Sequence, residues 1–436
     1  MEDLNPDRAG SPERGSPSSA PDLGVFSEVG RLRSVLVCRP ALAHRRLSPR
    51  NCREWEFDAP FWVERAQREF DDLVRLLGEH GVEVLQLHTL LAQTLRSAPA
   101  RAWVLEHTLS SGTLGAGAAE ALCEACAGVD SERLAECMLG GLTLADLGLP
   151  ARGALAPVAA LHPYLLEPLP RALFMREASA WVQHGVALAG AGRRGPCREA
   201  VLLAAVYRFH PRFAASPPPL WCGEPASPRS SPGAVGGDIL PLGQGVVLIG
   251  VGERTEPQAA LQIARALFDG GAAKTVIAVS GRGSSAAHHG ALASVFSHCA
   301  PEVVVYNADV VDHLDCQELR AAPHGAGLQV RPHAGRHLLD VLSEALGTPT
   351  LRAINSGADA PFPGDAGKDA DDAWDEGAGV LALAPGRVIG FERNPRTNRR
   401  LREAGVDVIE IEGAELSRCG ATAHRLCCPL ARDAVT

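Results

Sequence analysis

The chain has 436 residues, 46% of them hydrophobic, and a formal charge of −9. That size allows a large core, as one domain or a domain with an inserted lobe, while the acidic balance and missing basic block exclude nucleic acid as an expected partner. No run approaches the ~18 apolar residues of a membrane span, and the 12 scattered cysteines, with no apolar signal segment before them, fit a reduced cytoplasmic protein.

Met1 to Pro21 is Pro, Ser, Gly and charge, with almost no large apolar side chain. Burial there cannot offset ordering entropy, so residues 1–21 read as a disordered tail and 22–436 as the folded part. Ser34-Val35-Leu36-Val37-Cys38-Arg39 reads as a strand stopped at Pro40, Phe61 to Glu79 has apolar residues at helical spacing, and Val82 to Leu87 reads as another strand. From about 90 to 160 the pattern becomes all-helical, which predicts a helical lobe inserted into an α/β domain.

Strand signals return at Leu173-Phe174, Trp181 to Leu188 and Val201 to Tyr207. Two ββαβ units follow. One uses Asp238 to Gly250, helix Pro257 to Phe268 and strand Thr275 to Val279. The other uses Gly379 to Leu383, Arg387 to Glu392, helix Thr397 to Ala404 and strand Asp407 to Ile411. Breaks lie at Pro225 to Gly233 and at the acidic stretch Gly357 to Glu376, which reads as a solvated loop. Cys123-x-x-Cys126 has no second pair at ligand spacing and reads as helix packing; Gly281 to Ser285 lacks the lysine of a phosphate loop and reads as a turn. Neither a metal nor a cofactor is expected.

The last two dozen residues carry the argument. The alternating strand Asp407 to Ile411 leads to Arg418-Cys419-Gly420-Ala421-Thr422-Ala423-His424-Arg425-Leu426-Cys427-Cys428, and Pro429 reads as a stop. Together with Glu28-Val29-Gly30-Arg31-Leu32, Leu169-Pro170 before Phe174-Met175-Arg176-Glu177, Gly236-Gly237-Asp238 and Gly252-Glu253-Arg254-Thr255, this segment resembles the arginine deiminases. The resemblance spans about Val25 to Val435. It implies a five-bladed α/β propeller of ββαβ units with an inserted helical lobe, and an enzyme hydrolysing L-arginine to citrulline and ammonia.

A guanidinium is a poor electrophile, so its hydrolysis needs a thiolate nucleophile, carboxylates gripping the N–H fork and a histidine moving protons. Carried over by register, the family's histidine falls on His289 and its surviving acid on Glu177. Asp238, Arg254 and Arg418 fall on substrate-binding positions. The departures cluster: Val235 and Ala291 replace two acids, Arg171 replaces an asparagine, and Arg425 stands at the nucleophilic cysteine. A guanidinium cannot make that attack. Cys427 is two residues away, about 6–7 Å along an extended chain, which is outside attack distance.

The expected protein is therefore an arginine-deiminase-like chain that has lost deiminase activity, with a binding or regulatory role and a homo-oligomeric state. Its expected small-molecule partner is L-arginine or another guanidino compound. Arg425 is expected to fill the pocket from within and pair with Glu177. The alternative is an active deiminase or related guanidine hydrolase using a displaced thiol, Cys427.

Overall fold

The computed structural model describes residues 23–435 apart from 58, 110–114, 151–152, 154, 191–196, 225–231, 282–290, 324–326 and 357–375. The expected tail and most of the acidic stretch lie outside the described residues, as do the turn after Gly281 and His289.

Parallel neighbours need a crossover long enough to hold a helix, and the sheets are built around that need. β1 (Leu32–Val37) and β2 (Glu83–Gln86) run parallel, with the helix Val63–Glu79 between them in the chain. β3 (Ser179–Val182) and β4 (Gly185–Leu188) are antiparallel, and β5 (Leu220–Cys222) lies parallel to β4. β6 (Ile239–Gly243), β7 (Val246–Val251) and β8 (Thr275–Gly281) repeat that pattern around the helix Pro257–Asp269. β9 (Phe296–Ala300) and β10 (Val303–Tyr306) begin it again. The hairpin β11 (Leu314–Ala321) and β12 (Leu328–Pro332) is added to the edge of β8, and β13 (Arg352–Asn355) lies parallel to β10. β14 (Leu381–Ala384), β15 (Arg387–Phe391) and β16 (Asp407–Ile411) make another copy. β17 (Cys428–Arg432) pairs antiparallel with β1, so the last strand completes the first sheet. Five sheets result, and in each a middle strand has one antiparallel and one parallel neighbour.

Three sequence expectations are corrected. Pro429 does not stop the chain: it lies within β17, opposite Val35. β17 is an edge strand of its sheet, where proline is tolerated, and its other side is met by Gly24, which donates to the Leu430 carbonyl and accepts from the Arg432 N–H. Val201 to Tyr207 is not a strand but part of the helix Arg198–Phe209, buried from Ala200 through Tyr207. A helix covered on all sides shows the same unbroken apolar run as a buried strand. Leu173 ends a 3-10 turn, Pro170–Leu173, and Phe174 leads into a helical turn.

Residues 87–161 hold the helices Leu87–Thr94, Ala98–Thr108, Ala116–Ala127, Ser131–Gly140 and Leu155–Leu161. Asp130 caps the fourth by accepting from the backbone N–H groups of Glu132 and Arg133. Arg46, outside this stretch, donates to the carbonyls of Gly140 at 2.9 Å and Gly141 at 2.6 Å and pairs with Asp146 at 2.7 Å.

A short helical turn precedes one outer strand of each sheet (β3, β6, β9, β14 and β17): Met175–Ala178, Gly236–Asp238, Leu292–Val295, Glu376–Ala378 and Ala423–Leu426. The last touches the first, and each of the first three touches the next. The round closes where the His424 N–H meets the Gly379 carbonyl at 3.3 Å. This closeness demands glycine. A Cβ on Gly237 would stand 2.7 Å from the Ala291 Cβ, and one on Gly379 2.5 Å from the Thr422 Cβ.

Candidate functional site

Those turns carry Glu177, Asp238 and Arg425, with Val235 and Ala291 directly before two of them. Thr422 caps the last turn, its hydroxyl accepting from the Arg425 N–H at 3.2 Å, which fixes where the Arg425 side chain leaves the backbone. That side chain runs inward, with the residue only 8% exposed. Its Nε is 3.0 Å from Glu177 Oε1, and Nη2 donates to the same oxygen. Nη1 donates to the Gly420 carbonyl, and the guanidinium carbon stands 4.1 Å from the centroid of the Phe174 ring.

Glu177 is gripped from three sides. Arg171 donates to its second oxygen, and Arg254 Nη1 is 3.5 Å from its first. Burial alone would raise this carboxyl; the guanidinia of Arg425, Arg171 and Arg254 overcome that and hold it well below the usual carboxylate range. Arg171 and Arg254 also share a second acid, Glu56, whose Oε2 accepts from both, at 2.9 Å from Arg254.

The other expected site residues fare differently. Asp238 is buried; it accepts from the Thr255 hydroxyl at 2.6 Å and from the Leu292 N–H at 2.8 Å. Burial raises its carboxyl to about 6 despite those bonds. Asp238 thus ties two neighbouring turns together. Val235 gives its N–H to Thr255 Oγ1 at 3.1 Å and offers no acceptor side chain, while Ala291 is fully buried against the backbone of Gly237. Arg418 is not joined to the Glu177 cluster: its side chain is 56% exposed and its ion pair, at 3.8 Å, is with Glu415. Cys427 lies in the apolar core with Val35, Leu381 and Ile389, and burial pushes its thiol up to about 12. A thiol so held is not a nucleophile. Among the described residues no group of three His, Cys, Asp or Glu is placed to hold a metal ion.

Sequence reasoning missed a second network beside this one. Adjacent residues on a helical turn point about 100° apart, so Arg176 and His424 face away from their neighbours Glu177 and Arg425. Arg176 donates to Glu28 Oε1 at 2.6 Å and to the Ile239 carbonyl at 2.7 Å. His424 Nε2 is 3.2 Å from Glu28 Oε2, and its Nδ1 is 3.1 Å from Ser297 Oγ. Burial alone would raise the Glu28 carboxyl, but Arg176 and then His424 bring it down to about 2. Glu56 was missed too. Nothing in its local sequence marks it, because its two partners lie 115 and 198 positions away.

Comparison with known proteins agrees with the resemblance read from the motifs. The profile of the family described as arginine deiminase matches residues 54–432. An arginine deiminase of Mycobacterium avium is 36% identical over 416 residues, covering 94% of this chain and 98% of the relative. One from Mycobacterium marinum is 37% identical over 415 residues, with 94% and 98% covered. Among solved structures, an amidinotransferase of saxitoxin biosynthesis from Microseira wollei superposes with TM-score 0.55 at 12% identity, covering 95% of this chain and 98% of that one. The inosamine-phosphate amidinotransferase of Streptomyces griseus gives 0.52 at 12% identity, with 95% and 98% covered. At that identity the likeness bears on the fold alone.

Proposed function

The chain belongs to the arginine deiminase family, and from that premise we propose that it is a member without deiminase activity, its guanidinium site filled by its own Arg425. One observation carries this reading: the Arg425 guanidinium is bound by Glu177, the acid that the family pattern assigns to the substrate's guanidinium. The residue at the nucleophile's position thus takes up the grip meant for a substrate. It has no sulfur to form a covalent intermediate and no lone pair free to attack. Val235 and Ala291 withdraw two further acceptors, each worth about 1.5–3 kcal/mol as a charge-assisted contact. The five sheets, with turns meeting in a round, support the five-bladed propeller arrangement. The cytoplasmic location, the homo-oligomer and a guanidino ligand class belong to the same proposal.

The alternative, hydrolysis through Cys427, has no support in a fully buried thiol pushed up to about 12. The deciding experiment incubates purified protein with L-arginine and follows citrulline and ammonia, with intact-mass spectrometry watching for a covalent adduct. The expected result is no product above the protein-free control and no mass shift. Sustained citrulline release would overturn the proposal.

A further inference from the structure

From a buried guanidinium that its neighbours leave without a counter-ion, we infer a binding site for one small monovalent anion, chloride or another halide, at Arg432 beside the Glu28 network. The inference concerns a different part of the molecule from the Arg425–Glu177 pair and stands whether or not arginine is turned over.

Arg432 lies in β17 opposite Leu32 and is 3% exposed. The segment 24–30 folds around it. Its backbone N–H donates to the Gly24 carbonyl at 2.8 Å, and its Nη1 donates to the Gly30 carbonyl at 2.7 Å. The same segment carries Glu28, but each Glu28 oxygen is already engaged: Oε1 by Arg176 Nη2 at 2.6 Å, and Oε2 by His424 Nε2 at 3.2 Å. A guanidinium presents its N–H donors on all three nitrogens. In Arg432, Nε and Nη2 are buried and have no hydrogen-bond partner, and among the described residues no carboxylate forms an ion pair with it. The Nε of Arg176, also buried, is a further donor without a partner.

The charges around these donors do not cancel. Arg432 and Arg176 are cations, and Glu28 is the carboxylate they share. Burial lowers His424 and His298 from 6.5, which leaves both neutral at pH 7. Burial also pushes the thiols of Cys427 and Cys428 up to about 12 and about 11, so neither supplies a negative charge. Arg432 is itself lowered to about 10, by burial and by Arg176 against the pull of Glu28, and stays charged at neutral pH. One positive charge is left over, and an uncompensated charge away from water is costly. Water accepts hydrogen bonds but brings no charge. A halide accepts from several N–H groups at once and supplies the missing charge, while the enclosure of Arg432 excludes bulky organic anions. So held, the ion joins the opening segment to the last strand, 402 positions apart at Gly30 and Arg432.

The test unfolds wild-type protein and Arg432→Met with urea in sodium gluconate, with sodium chloride replacing gluconate at constant ionic strength. Gluconate is too large for an enclosed site. Each tenfold rise in chloride above the dissociation constant should favour folded wild-type protein about tenfold. Bromide should act likewise, and Arg432→Met should show no dependence on either. Chloride-independent unfolding of the wild type, or a dependence that survives in Arg432→Met, would refute the site. Should Arg432→Met not fold, as judged by its circular dichroism, wild-type crystals grown in sodium bromide replace it. Anomalous scattering should then place one bromide within hydrogen-bonding distance of Arg432 Nε or Nη2. Density there without an anomalous signal, the mark of water, or no density at all, refutes the site equally.

Discussion

The Arg425 Nε stands 3.0 Å from Glu177 Oε1, two residues 248 positions apart in sequence, and both are buried. Removing one partner of such a pair leaves an uncompensated charge, commonly at about 3–5 kcal/mol. The two removals should differ here. Arg425→Met leaves Glu177 with Arg171 and Arg254 and should cost about 2–3 kcal/mol, whereas Glu177→Gln leaves the buried Arg425 without an acid and Arg171 and Arg254 with Glu56 alone, and should reach the upper end of that range. The double variant should cost at least 1 kcal/mol less than the sum of the singles. Denaturant unfolding of the four proteins checks this; strict additivity would show that the pair is not coupled.

Restoring sulfur should not restore chemistry. Arg425→Cys places a thiol where the family resemblance puts the nucleophile, yet Glu177 keeps Arg171 and Arg254, and Val235 and Ala291 still offer no acceptor for a bound guanidinium. At about 1.5–3 kcal/mol for each of two missing contacts, the transition state loses roughly two to four powers of ten in rate. Citrulline formation by Arg425→Cys is expected to stay roughly two to four powers of ten below that of the Mycobacterium avium relative assayed alongside it.

Cys427 should be chemically silent in the folded protein. With its thiol pushed up to about 12, roughly one molecule in ten thousand carries the thiolate at pH 8. Mass-spectrometric mapping after brief treatment with a maleimide should find Cys427 unmodified in native protein and fully modified in guanidinium chloride. Rapid native labelling would contradict the burial described above.

Acid should weaken the fold through Glu28. Its carboxyl goes from an ordinary 4.5 to about 2 on folding, so the folded state holds its proton less tightly than the unfolded chain. The contribution is fully present above the unfolded value and is lost as pH falls from about 4.5 toward 2, in total on the order of 3 kcal/mol. His424, which burial lowers from 6.5, acts in the same direction, starting as pH drops below that value. Asp238 is raised to about 6 and works the other way, gaining stability as pH falls through that value. Glu28→Gln should therefore be less stable than wild type at pH 7, with the gap narrowing below pH 4. Equilibrium unfolding at pH 7, 4 and 3 measures it; a gap independent of pH would mean that Glu28 is not ionised against Arg176.

Backbone and motif were legible in the sequence because both are written locally. Alternating or continuous branched residues gave β8, β15 and β16 nearly to the residue. The glycines of Gly236-Gly237-Asp238 were legible as a motif, and their reason is the 2.7 Å approach to Ala291. Arg198–Phe209 was misread because full burial erases helical periodicity, and Pro429 was misread because nothing local reveals that its strand is an edge.

By itself the sequence determined which chemical groups are present, and through the register that the family resemblance implies it put a guanidinium where a thiol is expected and alkyl groups where two acids are expected. The tertiary structure alone decided what the remaining groups do to one another. Arg171, Arg254 and Arg425 are spread over 255 residues, and Glu56 belongs to a turn with no motif, yet they meet around Glu177. Coulomb energy depends on distance in space and on the local exclusion of water, and neither quantity is written along the chain.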